Sequence, residues 1–124
     1  MMTRDLMIKD VVTTQGNALV KEAIELLSKR HIGCIVIIND ANQCIGIFTE
    51  RDAIRIVAQN VPLNTPIEKI MTKNPFTINE DSTFEEAKSI IITHKIRHLP
   101  VIGANGKLVG LICVRGILDE LSGI

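Results

Sequence analysis

The chain repeats itself, and the repeat limits what it can become. A constant offset of 64 positions, with no gap, carries Met7 onto Met71, Lys9 onto Lys73, Thr13 onto Thr77, and Glu22 and Ala23 onto Glu86 and Ala87. Further along, Ile32 falls on Ile96, Ile38 on Ile102, Gly46 on Gly110 and Arg51 on Arg115. Identity between the copies is modest, but the apolar pattern matches far better. In 124 residues there is room for two copies of one supersecondary unit. A unit of about 60 residues has too little interior to bury a sheet face alone, so two copies are expected to share one pseudo-twofold globule.

Each copy reads in the same order. A short extended piece (Val11–Thr14; Phe76–Ile78) leads into an amphipathic helix, with Val20, Ile24 and Leu27 on one face in the first copy and Phe84, Ala87 and Ile91 in the second. Two short apolar runs follow, Ile35–Ile38 with Ile45–Phe48, and Leu99–Ile102 with Leu108–Ile112. The segments between them, "NDANQ" and "GANGK", have hairpin-turn chemistry. A last helix closes each copy, over Arg51–Gln59 and over Arg115–Leu121. The reading is therefore an α/β (α+β) chain of two tandem β-α-β-β-α motifs, over residues 4–60 and 67–121. The linker at residues 61–66 carries prolines that keep the joint from becoming helix.

Composition removes several functions. Basic and acidic side chains number 14 each, so no long-range field draws in nucleic acid or anionic lipid. Three Phe with no Tyr or Trp leave little for stacking along a strand, which argues against nucleic acid as a partner. No apolar run approaches the roughly 20 residues of a membrane span, and the charged start "MMTRDLMIKD" is not a signal peptide. Cys34, Cys44 and Cys113 sit in or beside apolar runs, an odd number that reads as reduced buried thiols and a cytoplasmic setting.

The copies differ most at one corner. "GIFTERD" at residues 46–52 returns as "GLICVRG" at residues 110–116, with Thr49 replaced by Cys113 and Asp52 by Gly116. Thr49-Glu50-Arg51-Asp52 is first of all a helix start, where Thr49 caps and Asp52 answers three residues later. The same geometry also suits a ligand. Free N–H groups at a helix start attract an anion, the Thr hydroxyl can bond phosphate or ribose, and a carboxylate one turn in can accept from two ribose hydroxyls.

Taken together, the tandem β-α-β-β-α order, "LPVI" at a second strand and "GxxTxxD" at the last helix resemble a cystathionine-β-synthase-type (CBS) domain pair, the Bateman module, over about Arg4 to Leu121. The resemblance implies a ligand containing adenosine, such as AMP, ADP, ATP or an S-adenosyl compound, held at a cleft between the motifs, and no required cofactor. It also implies disc-like homodimers. Carried onto this sequence, it joins Thr49, Arg51 and Asp52 with Thr72, Pro75 and Phe76 near the base. Gly33 and Cys34 would lie against the adenine, Ile47 would form an apolar wall, and Arg97 and His98 would reach the phosphates.

Metal and catalytic readings are rejected. His31-x-x-Cys34 and His94-x-x-x-His98 lack the further ligands that a metal needs, and no nucleophile elbow, phosphate-binding lysine loop or zinc-protease pair is present. The expectation is a non-catalytic regulatory module that signals to an unidentified protein or through its own dimer. The alternative is a structural interaction module with a vestigial cleft. The wide apolar stripe of the last helices (Ala53, Ile54, Ile56, Val57 and Ala58; Ile117, Leu118 and Leu121) points to a dimer surface.

Overall fold

The computed structural model describes residues 1–114. The expected helix at Arg115–Leu121, with Arg115, Gly116 and the second half of the apolar stripe, lies outside them. In order, the elements are α1 (Thr3–Leu6), β1 (Thr13–Gln15), α2 (Val20–Arg30), β2 (Cys34–Ile38), β3 (Cys44–Thr49), α3 (Glu50–Ala58), a 3-10 turn (Ile67–Lys69), β4 (Thr72–Lys73), β5 (Ile78–Asn79), α4 (Phe84–His94), β6 (His98–Ile102) and β7 (Leu108–Cys113). The strands form one four-stranded sheet, ordered β1-β2-β3-β4, and one three-stranded sheet, ordered β5-β6-β7. A mixed α+β architecture is what the sequence pattern called for.

The chain divides into two compact units, and the division is out of phase with the repeat. One unit is Val12–Pro75; the other joins Met1–Val11 to the chain from Phe76 on. In the first, β1 runs parallel to β2, while β2 and β3 form an antiparallel hairpin with Val36 opposite Ile47. Its core is Val20, Ala23, Leu27, Ile35, Ile37, Phe48, Ile56 and Ile67. In the other, β5 is parallel to β6 and β6 is antiparallel to β7, over a core of Ile78, Ala87, Ile91, Leu99, Val101 and Ile112. Branched aliphatics fill both cores, as the aromatic-poor composition requires.

Each repeat gives its leading segment to the other repeat's sheet. Ile8 bridges Leu111 on β7, and its counterpart Thr72 pairs with Ile47 on β3. The methionines shared by the copies follow the same exchange. A Cβ on Gly46 would overlap Met71 Sδ and crowd its Cγ at 2.9 Å; one on Gly110 would lie 2.8 Å from Met7 Cγ. The Gly and Met of the repeat are thus two halves of one contact, exchanged between copies. A side chain at either glycine would collide with that methionine, which would have to shift.

The hairpins repeat as well. Asn42 (φ 61) and Gly106 (φ 80) occupy equivalent left-handed positions, and Asn39 N–H to Gln43 carbonyl (3.1 Å) matches Gly103 N–H to Lys107 carbonyl (2.9 Å). Asn and Gly are the residues that tolerate such a backbone, and they supply the turns read from sequence. The stripe on α3 splits. Ile56 is fully buried and Ala53 packs on the core, whereas Ile54 and Val57 are 72% and 63% exposed.

Candidate functional site

The corner between β3 and α3 gathers most of the predicted residues, all within Val12–Pro75. β3 ends at Thr49, the N-cap of α3, in an extended conformation (φ −115, ψ 170). Here the cap is reciprocal. The Asp52 N–H donates to Thr49 Oγ1 (3.2 Å), while the Thr49 N–H (2.9 Å) and hydroxyl (3.1 Å) both donate to Asp52 Oδ2. The helix-start reading is therefore realised in full, and the pair contributes about 0.5–2 kcal/mol of local stability by analogy with other caps.

The cap fixes the carboxylate without saturating it. Oδ2 is held by two donors, which sets the plane of the group. Among the described residues, Oδ1 meets a single long contact, from Arg55 Nη2 (3.4 Å). A carboxylate oxygen has capacity for more than one donor, so Oδ1 can still accept from a ligand hydroxyl. The Asp52 side chain is 13% exposed, half-sheltered at the helix start and open enough to be reached.

The neighbouring candidates surround this corner through the sheet. Cys34 lies opposite Thr49 and Ile47 beside Thr72. The Glu50 N–H donates to the Gly33 carbonyl (3.1 Å), tying the first turn of α3 to the entry of β2. Ile47 and Thr49 share the β3 face opposite buried Phe48, as strand alternation demands. Arg51 is exposed on the first turn of α3, Thr72 is exposed on β4, and Pro75 is half-buried where the unit ends.

Phe76, Arg97 and His98 belong to the other unit. Phe76 is 48% exposed and its ring stacks on His94, with centroids 3.8 Å apart and planes at 17°. Arg97 is exposed, and its carbonyl accepts the Val114 N–H (2.9 Å), reproducing the Gly33–Glu50 tie of the first corner. His98 opens β6 opposite Cys113. Burial pushes the Cys113 thiol above its ordinary pKa, and that of Cys44 likewise.

Two residues with a part in these geometries were missed by sequence reasoning. Arg55 stands three residues after Asp52 on the same face of α3, a spacing that does signal a pair. Its Nη2 also donates to the Ile70 carbonyl (3.2 Å), just before the lead-in that becomes β4. The sequence offers His94 only as one of a metal-ligand pair. It is instead the last residue of α4, and no spacing rule announces its contact with Phe76. His31, from the other rejected metal pair, is the left-handed C-cap of α2 (φ 54). Among the described residues, no group of three or more His, Cys, Asp or Glu is placed to hold a metal ion.

An open cavity of about 540 Å³ lies elsewhere, lined by Thr13, Thr14, Gln15, Asn17, Ala18, Glu22 and Ile38. It sits at the Ile38 end of β2, whereas Cys34 and the Asp52 corner are at the other end, and it contains none of the predicted residues.

With the corner defined, comparison decides the family. The sequence pattern of the CBS domain matches residues 4–59 and again 67–123. The chain belongs to the CBS domain family. It is 35% identical to an uncharacterized 17.7 kDa protein of Acidianus ambivalens over 90% of this chain and 67% of that one. It spans 58% and 39% of two further uncharacterized relatives, from Methanopyrus kandleri and Methanocaldococcus jannaschii. Among solved structures, the CBS domain protein PAE2072 from Pyrobaculum aerophilum, complexed with AMP, superposes with a TM-score of 0.89 at 28% identity, covering 100% of both chains. The CBS domain pair of protein MJ0100, in complex with 5′-methylthioadenosine and S-adenosyl-L-methionine, gives 0.90 at 27% identity, covering 99% of this chain and 97% of that one.

Proposed function

We propose that this CBS pair is a non-catalytic sensor of an adenosine-containing ligand, whose ribose hydroxyls bond Asp52 Oδ1 while Thr49, Arg51 and the start of α3 face its polar groups. The observation that carries this reading is the carboxylate itself: one oxygen is locked in the cap and the other is oriented and left with accepting capacity. Structural relatives were solved with AMP and with adenosyl compounds, and they supply the ligand class. The remaining candidates, Gly33, Cys34, Ile47, Thr72, Pro75, Phe76, Arg97 and His98, keep the base and phosphate roles that the family likeness suggests.

A thermal-shift panel with AMP, ADP, ATP, S-adenosylmethionine and 5′-methylthioadenosine tests the reading. A ligand at 100 times its dissociation constant adds about 2.7 kcal/mol to folding stability. One or more of the five should raise the melting temperature by several degrees; no shift with any of them overturns the proposal.

A second reading has its own observation. The outer face of α3 leaves Ile54 and Val57 largely exposed, and a second copy of the chain is the occupant that the family likeness suggests. On this reading the module acts through its homodimer, with or without a ligand. Light scattering at micromolar concentration should give twice the 13.7 kDa chain mass. A 13.7 kDa particle rejects the dimer.

A further inference from the structure

Arg55 has no part in the ligand reading, yet its guanidinium touches the carboxylate on which that reading rests. Nη2 lies 3.4 Å from Asp52 Oδ1 and donates to the Ile70 carbonyl at 3.2 Å, while Nη1 reaches Gln59 Oε1 at 3.5 Å. A guanidinium carries several N–H donors in a rigid planar fork, so one group can hold several acceptors at once. All of these residues lie within Val12–Pro75.

Ile70 stands at the head of the segment that connects the two copies. Met71, next in the chain, fills the space at Gly46, and Thr72 and Lys73 pair with Ile47 and Gly46 as β4. The Asn74 N–H reaches the Ile45 carbonyl at 3.4 Å, and after Pro75 the chain passes into the other unit. Arg55 therefore ties the carboxylate at the start of α3 to the backbone that enters β4. The sequence keeps the two charges together. The residues 64 positions after Asp52 and Arg55 are Gly116 and Asp119, so the copy without the carboxylate also lacks the cation. The dipole of α3 asks only for a cation in its last turn; it does not explain a fork aimed at Asp52 and Ile70 together.

We propose that Arg55 is a positioning residue that couples occupancy of the Asp52 corner to the connecting segment at residues 70–74. This rests on the adenosine-ligand reading above. A ribose seated on Oδ1 excludes water from the carboxylate, and an ion pair strengthens as its surroundings dry. The Asp52–Arg55 contact is long and the Arg55 side chain is 43% exposed, so the pair has room to tighten. A guanidinium pinned on Asp52 also holds its bond to the Ile70 carbonyl. The coupling is reciprocal: a ligand that steadies the segment binds more tightly because the segment is steadied.

The test is hydrogen exchange over residues 71–74, with and without saturating AMP and in parallel with the other compounds of the thermal-shift panel, alongside calorimetry. A two-residue strand exchanges through local opening, so these amides report the segment rather than global stability. Ligand should slow their exchange in the wild type. Arg55→Ala should bind about two- to fivefold more weakly, the worth of a part-exposed ion pair, and should lose the slowing even at saturation. Arg55→Lys keeps a charge beside Asp52 but not the planar fork, so it should recover part of the affinity and none of the slowing. Arg55 is exposed, so neither variant opens a core. Slowing that survives in Arg55→Ala, wild-type affinity in that variant, or no slowing in the saturated wild type overturns the coupling. An Asp52→Asn variant that still loses affinity in those cases leaves the ligand reading standing. A wild-type chain that binds none of the compounds removes both.

Discussion

At the end of β3, Thr49 and Asp52 close a reciprocal cap; at the end of β7 the same frame carries Cys113 and Gly116. Up to Val114, the scaffolding of the two corners is otherwise alike. A carbonyl at the strand entry, Gly33 or Arg97, accepts the N–H of the residue just past the strand, Glu50 or Val114. The partner strand begins opposite the corner, at Cys34 or His98. A methionine from the other repeat fills the space that Gly46 or Gly110 leaves open. The tie between strand entry and strand end forms at Val114, as far as the described residues run, with Cys113 where the first copy has Thr49. The groups kept in both copies shape the backbone, and the polar pair kept in one copy is the pair to which the proposed function gives a use besides shape.

The largest effect should come from erasing that difference. Cys113 is a poor hydrogen-bond partner and Gly116 has no side chain, so on the proposed reading the second copy lacks the groups that would hold a ribose. The wild-type chain is expected to bind one nucleoside ligand. A Cys113→Thr, Gly116→Asp double variant should bind a second, with an affinity gain at that corner of about a thousandfold, equivalent to several kcal/mol. Calorimetric stoichiometry decides it. Two equivalents in the wild type, or one in the double variant, breaks the comparison.

Next in size is the intact corner. Asp52→Ala should weaken ligand binding at least tenfold, since a charge-assisted hydrogen bond is worth about 1.5–3 kcal/mol. The cap geometry sharpens this test. Alanine also removes the acceptor that two Thr49 donors use, so the apo protein should lose about 0.5–2 kcal/mol as well. Asp52→Asn keeps an acceptor oxygen for Thr49 and separates the two losses. It should melt near the wild type and still bind ligand weakly. Wild-type affinity in both variants removes Asp52 from the site.

Much of this was legible in the sequence, and the misses have a common cause. The repeat, the hairpins with Asn42 and Gly106, and the Thr49–Asp52 cap are all local patterns, within reach of spacing rules. The swapped lead-ins were not legible in the residue pattern, and only the family likeness set Thr72, Pro75 and Phe76 with the Thr49–Asp52 corner. Met7 and Met71 align with each other in sequence, but the glycine that each one fills is in the opposite copy. A duplicated sequence carries no mark of which copy a segment pairs with. For the same reason the two-residue strand β4 and the bridge at Ile8 went unseen. Phe76 with His94 and Arg55 with Ile70 are contacts across turns, where periodicity says nothing.

The exchanged methionines give a smaller and graded effect. The three atoms nearest a Cβ at Gly46 all belong to the unbranched Met71 side chain, which can swing aside. At Gly110 the new Cβ also lies 3.0 Å from the Ile8 carbonyl oxygen, a backbone atom held by paired bonds to Leu111 of 2.8 and 2.9 Å. Overpacking of this kind costs about 1–3 kcal/mol. Gly110→Ala should fall in the upper part of that range and Gly46→Ala near its floor, by urea denaturation. The reverse order would mean that the two contacts are not equivalent halves of one exchange.

The smallest effect separates the leading helices of the two copies, α2 and α4. Their N-cap positions align, but one is Leu19 and the other Thr83. α4 uses one half of a capping pair: Thr83 Oγ1 accepts the Glu86 N–H at 3.2 Å. α2 uses the opposite half: the Leu19 N–H donates to Glu22 Oε1 at 3.0 Å. Each helix start thus satisfies one orphan donor by a different partner, while α3 has both halves at once. Thr83→Ala should therefore cost about 1 kcal/mol and Glu86→Gln almost nothing. In the other copy the dependence is inverted, with the cost falling on Glu22→Ala. Both substitutions are at exposed positions, so chemical denaturation reads the caps rather than the core. If Thr83→Ala and Glu22→Ala leave stability unchanged while Glu86→Gln lowers it, the helix starts are held by packing and the inverted division of labour is wrong.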